Sequence, residues 1–531
     1  DLFVSEALKR LGPLVQQAEL LAGRYDTVVA NPPYMGGKSM NGEVKKFTKD
    51  CFPDAKSDLF ACFIERGFDL AKRTGHNAMV TMHSWMFLSS FEVMRERILR
   101  EKTINTMAHL GARAFGSISG EVVQAAAFVL RNESLPNYRP VFFRLLEGGE
   151  DEKRLALASG ENRFDATRQH EFKKIPGSPV AYWLPSAIFT AFADRPHLGE
   201  AARAAKGLVT ADNDSFVRER WEVSADAVGL GFASREEARS SGKKWFPYAK
   251  GGKFRRWAGN LEAVVNWEQD GEAIQTTLTE DGSRVRATNF NLDRIFVEGV
   301  SWTVVTSGAP SFRFVPRGHL FDAAAGVIQK RSDLCSSWAL LAYLNTGLVR
   351  ILLDALNPTL NLHPGYLESL PGMDSESRGN SEATAKTAVA ISEGDWDSYE
   401  RSWDFQSLPL LTASSDPTPT LESSYTAWIT QNRDTIAEMK RLEEENNRLF
   451  IDAYGLADEL TPDVPIEQIT LTVNPAYRYG GKLTEEEQWT RFRQDTMEEL
   501  VSYAIGCMMG RYSLDAPGLI YAHSGNEGFD P

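Results

Sequence analysis

The chain has 531 residues, 42% of them apolar and 24% charged, a globular composition too long for one hydrophobic core and expected to fold as two to four domains. Against 58 basic residues stand 72 acidic ones, a net charge of −14; this excludes a protein that is basic all over but leaves room for a cationic patch on an acidic body. No apolar run reaches the roughly eighteen residues that span a bilayer, and no basic-then-apolar leader opens the chain. Cys51, Cys62, Cys335 and Cys507 make neither a zinc spacing nor a disulfide framework, so a reducing, cytoplasmic setting without membrane or metal is expected.

In chain order, residues 1–21 read as a helix that begins abruptly, as in a piece of a longer protein. Thr27-Val28-Val29-Ala30 is a short β-branched run stopped by two prolines, as expected of a buried parallel strand that ends at a functional loop. Leu59, Phe60, Phe63, Ile64, Phe68 and Ala71 recur at helical spacing, with Gly75 as the expected stop. Residues 77–82 read as a strand, 91–99 as a helix, and 104–110 and 122–130 as two further strands. This alternation predicts a parallel or mixed sheet with helices on its faces. Ligands of such sheets sit beyond the carboxyl ends of the strands, where Asn31-Pro32-Pro33-Tyr34 lies. Residues 146–200 are read as a connector, 201–371 as an irregular mixed domain, 372–394 as a flexible or partly helical link, and 395–531 as mostly helical. Within the last region one long amphipathic helix is expected over 427–454, packed on its own domain.

The NPPY tetrapeptide carries the chemistry. A bland alternative is a rigid proline turn with a packed tyrosine. The functional reading starts from the exocyclic amine of an aromatic base, a poor nucleophile because its lone pair is delocalised into the ring. The Asn31 side-chain carbonyl and the Pro32 backbone carbonyl can accept its two protons and turn the lone pair toward an electrophile. Pro33 stiffens that carbonyl, and Tyr34 offers a flat face to an extruded base. An activated methyl donor needs no strong general base.

YDTVVANPPY resembles motif IV of the amino-group DNA methyltransferases that act on adenine N6. The following SDLFACFIERGFDLAKRTGHNAMVTMHSWMF resembles the helix–strand pair after that motif, and AFGSISGEVVQAAAFVL resembles the late catalytic segment whose phenylalanine holds the flipped adenine, a role that falls on Phe115. Further segments, among them KIPGSPVAYW, GLVTADNDSFVRERW, KKWFPYAKGGKFRRWAGN and SYAIGCMMGRYSLD, make the chain similar from end to end to the PglX adenine-specific methyltransferases of BREX phage-defence systems. The resemblance implies an α/β fold: the C-terminal half of a Rossmann-like methyltransferase sheet in 1–145, a mixed α/β target-recognition domain, and a helical C-terminal region. It implies S-adenosyl-L-methionine as cofactor and double-stranded DNA as partner, with other defence-complex subunits or a phage-encoded DNA-mimic inhibitor as further partners. The family's donor-binding glycine motif precedes NPPY and is not found in residues 1–30. The isolated chain is therefore expected to hold the amine-positioning half of the site and to be inactive alone. The rival reading is a non-catalytic DNA- or partner-binding module. A weaker one is an RNA or protein amide methyltransferase using the same chemistry.

Asn at the first motif position leans toward adenine N6, and none of the four cysteines follows a proline, which excludes the thiolate chemistry of cytosine C5 methylation. Residues 241–257 hold Lys243, Lys244, Lys250, Lys253, Arg255 and Arg256 without an acid, interleaved with Trp245, Phe246, Tyr248, Phe254 and Trp257. They are expected to form a phosphate-contacting stripe, with Gly251-Gly252 allowing close approach; the competing reading packs the aromatics inward. Asn213, Asp214 and Arg218 are candidate base readers, with local capping and pairing as the alternative.

Overall fold

The computed structural model describes residues 2–115, 123–288, 290–306, 308–331, 335–357 and 361–521. The chain divides into two compact units, Asp1–Asp194 with Ala355–Pro358, and Arg195–Asp354 with Thr359–Pro531.

The first unit opens with helix α1 (Leu2–Ala22), followed by strand β1 (Tyr25–Ala30), helices α2 (Gly42–Cys51) and α3 (Leu59–Leu70), β2 (Ala71–Met82), α4 (Glu92–Glu101), β3 (Thr103–Gly111), β4 (Ala125–Arg131), β5 (Val141–Arg144), α5 (Glu150–Ser159) and β6 (Arg163–Phe164). The strands form one sheet in the order β1-β2-β4-β3-β5-β6. β1 runs parallel to β2, with Ala30 opposite Met79, and β4 lies antiparallel between β2 and β3. This is a Rossmann-like core of mixed α/β type. β1, β2 and β3 point the same way, so their carboxyl ends share one edge of the sheet. Phe60, Ile64, Met79, Trp85, Met94, Ile104, Met107 and Phe128 fill the core.

Two local expectations change. β1 has the sequence of a buried strand, yet among the described residues it pairs only with β2, and Val29 is 75% exposed. The helix α3 stops at Leu70 rather than near Gly75, because Asn132 Nδ2 donates to the Phe68, Ala71 and Lys72 carbonyls at 3.0–3.2 Å and satisfies the helix end. Gly75 serves β-pairing instead: a Cβ there would lie 2.9 Å from the Tyr25 and Asp26 carbonyl oxygens of β1.

The expected connector 146–200 belongs largely to this packed unit. Lys153 of α5 is buried, its ammonium donating to the Leu110, Leu145 and Leu146 carbonyls at 2.6–3.0 Å. Tyr182 stacks on Phe142 with ring centroids 4.4 Å apart. The polar look of 145–164 reflects the outer face of α5 and the exposed turns on either side of it.

In the second unit β7 (Ala202–Ala205), β8 (Val217–Glu219), β9 (Trp245–Ala249), β10 (Ala263–Asn266), β11 (Gly299–Thr303), β12 (Phe312–Val315), β13 (Leu320–Phe321) and β14 (Ala325–Lys330) form two four-stranded sheets, β13-β9-β10-β8 and β12-β11-β14-β7. Long helices follow, at Ser375–Asp397, Leu421–Ala453 and Glu485–Met508. The predicted link 372–394 is mostly the first of these. Its Ser377, Ser381, Ala385, Ala388 and Ser392 are buried, a face of small side chains that allows close helix packing and reads as linker only by composition. The helix expected at 427–454 starts earlier, at Leu421, capped by Thr420, and buries Trp428, Ile436, Met439, Leu442 and Phe450 within its own unit. Among the described residues no single helix is long and apolar enough to cross a membrane.

Candidate functional site

Asn31 follows directly on β1 at the carboxyl edge of the first unit's sheet. Its side chain is exposed, Pro32 is buried, Pro33 is exposed and Tyr34 is half-buried. The Tyr34 ring packs edge-on against Phe60 of α3 with centroids 6.2 Å apart. Its hydroxyl lies 3.4 Å from the Val80 carbonyl of β2 and 3.5 Å from Asn31 Oδ1. Both are long bonds, so ring packing does more than the hydroxyl to place Tyr34. Burial raises the phenol's pKa, which keeps it protonated.

Asp58 anchors the other end of this loop. As the N-cap of α3 its Oδ1 accepts from the Met35 and Phe60 amides at 2.9 and 3.3 Å. The Leu59 amide donates to the Met35 carbonyl at 3.1 Å, and the Gly37 amide to the Ser57 carbonyl at 3.0 Å. The loop after NPPY is thus tied at both ends, to β2 and to the helix start. Asp immediately before the apolar run LFACF is the sequence signal for this cap.

A second group on the same edge was also not anticipated. His83 follows β2, His109 is near the end of β3, and His83 Nδ1 and His109 Nε2 are 2.7 Å apart. The Tyr182 hydroxyl lies 3.3 Å from His109 Nδ1. Each neutral imidazole carries a single N–H, so the bonds run in one direction. With the phenol donating to His109 Nδ1, His109 Nε2 donates to His83 Nδ1, and His83 Nε2 keeps the remaining hydrogen. Burial pushes the pKa of His83 down to about 4 and that of His109 to about 3, with the charges of His83, Arg144 and Lys153 adding to the latter.

These depressed values make a stability prediction. Between the unfolded value of about 6.5 and the folded values the unfolded chain binds more protons, so stability is full above about pH 6.5 and falls as pH drops. The expected slope is up to about 1.4 kcal/mol per pH unit for each histidine. Urea unfolding at pH 7.5, 6 and 5 checks this, and a His83→Gln, His109→Gln variant should lose much of the slope. An equal slope in both proteins would remove the histidines as its source.

Phe115 is half-buried just after β3. The rest of its segment, 116–122, lies outside the described residues, so the motif around Phe115 is placed only at its start.

The second unit redistributes the predicted basic stripe. Arg255 is 3% exposed; its guanidinium lies 3.0 Å from the Asp395 carboxylate and also donates to Thr472. Arg256 is also buried, 2.6 Å from Glu443, with Gln468 as a second acceptor at 3.0 Å. Both are therefore corrected from phosphate contacts to buried structural pairs, because carboxylates on distant helices consume their charge. Phe246, Tyr248 and Trp257 pack inward, as the competing reading held. Gly251 permits close approach of the protein's own backbone: a Cβ there would lie 2.8 Å from the Ala324 carbonyl oxygen.

The lysines differ. Lys244 and Lys253 are exposed, and Lys243 and Lys250 half-buried. Lys243 donates to the Asp226 carbonyl, and the Lys244 ammonium sits 5.7 Å from the Trp245 ring centroid. Asn213 and Asp214 are exposed in a short turn of helix capped by Asp212. Asn213 Oδ1 accepts from the Thr210 hydroxyl at 2.6 Å. Arg218 donates to the Asp214 and Val217 carbonyls and lies over Trp245, so its fork is largely spent locally. Among the described residues no group of three or more His, Cys, Asp or Glu side chains is placed to hold a metal ion.

Residues 8–115, which include the strand running into Asn-Pro-Pro-Tyr at the carboxyl edge of the sheet, match the Eco57I restriction-modification methylase family. The chain is homologous over essentially its whole length to the adenine-specific methyltransferases BrxX and PglX. It is 43% identical over 534 residues to adenine-specific methyltransferase BrxX of Escherichia coli O9:H4 (strain HS), covering 100% of this chain and 42% of that protein. To adenine-specific methyltransferase PglX of Lacticaseibacillus casei (strain Zhang) it is 37% identical over 522 residues, covering 96% of this chain and 41% of that one. The chain thus spans about two fifths of the length of these curated relatives. Among solved structures, the Type IIL restriction-modification enzyme MmeI in complex with DNA aligns over 84% of this chain and 56% of its own, with 10% identity and a TM-score of 0.49.

Proposed function

We propose that this chain is the amine-positioning and DNA-recognition part of a site-specific DNA adenine-N6 methyltransferase in a phage-defence and host-marking system. The observation that carries the reading is the exposed Asn31 side chain at the carboxyl end of β1, beside a Tyr34 ring held between β2 and α3. The Asn31 and Pro32 carbonyls accept the two N6 protons, Pro33 holds the turn, and Tyr34 stacks on the extruded adenine with Phe115 on its other side.

S-adenosyl-L-methionine supplies the methyl group when bound. The described residues fit the acceptor side of that site alone. Residues 2–24 are a helix and a turn, without the glycine-rich strand-to-helix turn that cradles an adenosyl group. Homology along the chain to proteins named adenine-specific methyltransferases supports adenine as target and DNA as substrate. Other defence-complex subunits and a phage-encoded DNA mimic are the further partners this reading admits.

The direct test supplies the full-length protein with methyl-labelled donor and duplex DNA, and analyses the nucleosides by mass spectrometry. Label in N6-methyladenine is expected. Label in cytosine, RNA or protein, or duplex binding without label, would replace the reading with one of its rivals.

For the recognition part we propose Lys243, Lys244, Lys250 and Lys253 as phosphate contacts and the exposed Asn213 and Asp214 as base readers; Arg218 serves to brace their turn. Lys244→Ala with Lys250→Ala is expected to weaken cognate and scrambled duplexes alike. The salt dependence should flatten by up to two contacts of about 0.9 each. An unchanged slope would place these ammonium groups away from DNA.

A further inference from the structure

The second unit holds a cavity of 590 Å³ whose wall includes Lys253, Tyr399, Glu400, Arg401, Arg478 and Glu499. Its charges can be followed one by one. Arg478 is answered by Asp495 and Glu499, each at 3.0 Å. Glu400 is taken up by Arg511 at 3.5 Å and by the Tyr512 hydroxyl. Lys253 and Arg401 have no carboxylate within ion-pair distance among the described residues. Lys253 and Arg401 are therefore two cations without a carboxylate of their own, and with Arg478 answered by two carboxylates the wall and its ion-pair partners keep one positive charge in excess.

Arg401 is held in place without being neutralised. Its guanidinium lies 4.0 Å from the Trp396 ring centroid, and Nη2 donates to Thr472 Oγ1 at 3.3 Å. Among the described residues three buried polar atoms of this wall, Arg401 Nε, Arg478 Nη1 and the Tyr399 hydroxyl, have no hydrogen-bond partner. Native interiors leave few such groups, and each marks a strained, wet or ligand-dependent place. The Tyr399 and Tyr477 rings add aromatic surface to the same wall. The volume lies in the range of small-molecule sites, well above what a bare inorganic anion fills.

Surplus cations, aromatic surface and carboxylate acceptors together match one ligand chemistry. We propose that this cavity binds a nucleoside 5′-monophosphate unit, its phosphate on Arg401 and Lys253 and its base against Tyr399. The remaining carboxylate oxygens of Glu400 and Glu499 are then acceptors for ribose hydroxyls or a base amine. The unit comes either as a free nucleotide or as one nucleotide of a DNA strand; the phosphate and base chemistry is shared. The cavity belongs to the second unit, and its test needs neither methyl donor nor target adenine.

Calorimetric titration of the 531-residue chain with AMP, adenosine and inorganic phosphate tests it. Saturable AMP binding is expected, with adenosine and phosphate each at least about tenfold weaker. Arg401→Ala should lower AMP affinity about tenfold, and Arg401→Lys should recover only part, because a point charge replaces the guanidinium fork. Circular dichroism checks that Arg401→Ala stays folded; if it does not, Lys253→Ala, at an exposed position, should still weaken AMP about threefold. A short duplex that displaces AMP assigns the site to a DNA strand, and one that does not assigns it to a free nucleotide. Absence of saturable AMP binding up to about 10 mM overturns the proposal. So does adenosine binding as tightly as AMP, or unchanged AMP affinity in the folded variants.

Discussion

Asn31→Ala in the full-length protein, with donor and duplex supplied, is expected to lower turnover by about two to three orders of magnitude or more while DNA affinity is retained. On the proposed reading the side-chain carbonyl accepts from the amine and that bond strengthens as nitrogen attacks, so its loss would fall on the chemical step and not on binding. Tyr34→Ala should act differently. It removes the stacking face, worth about 1–3 kcal/mol per base in single-strand binding, and also the packing on Phe60. Tyr34→Phe keeps the ring and loses only one long hydrogen bond, which the hydroxyl shares between the Val80 carbonyl at 3.4 Å and Asn31 Oδ1 at 3.5 Å, so most activity should survive. Fluorescence of 2-aminopurine at the target position separates the roles: Asn31→Ala should still extrude the base, and Tyr34→Ala should give brighter emission from an unstacked one. Normal adenine methylation by Asn31→Ala would reduce NPPY to a rigid proline turn. Loss of activity in Tyr34→Phe equal to that in Asn31→Ala would give the hydroxyl a chemical task that its geometry does not suggest.

The second large effect concerns stability. Glu443 is buried and accepts from both Arg256 and the Trp257 indole, at 2.6 and 2.8 Å. Burial raises its pKa and the Arg256 charge opposes that rise. Glu443→Ala strands a buried guanidinium and an indole N–H together, so a loss of about 3–5 kcal/mol is expected in urea unfolding of the chain. Glu443→Gln keeps an acceptor for the indole and should cost less. Removing both charges at once, with Arg256→Met and Glu443→Leu, should recover much of the loss, since an apolar pair has no desolvation penalty. In either folded variant the salt dependence of duplex binding should be that of the unaltered chain. A flattened slope in the folded Arg256→Met, Glu443→Leu variant would return Arg256 to the DNA interface.

The sequence by itself determined the order and type of α1, β1, α3, β2, α4, β3 and β4 and the place of the first unit's most informative residues, whereas α2, β5, α5 and β6 carry too short or too polar a pattern to be read locally. β-Branched runs, helical spacing and a strand stopped by two prolines are local signals, and the structure sets Asn31 at the carboxyl edge they imply. The antiparallel place of β4 between β2 and β3 was not legible, because pairing order depends on contacts far apart in the chain. Neither was the His83–His109–Tyr182 chain, whose members are 26 and 73 residues apart and meet only once the sheet and the segment after β6 have packed. The basic stripe shows the limit most plainly. Composition marks Lys253, Arg255 and Arg256 as equivalent cations, but charge is local and burial is not. Arg255 meets Asp395 across 140 residues and Arg256 meets Glu443 across 187, leaving Lys253 exposed. Which cation faces water and which completes a core is decided by where the tertiary fold brings a carboxylate, because a buried charge must be paired and an exposed one need not be.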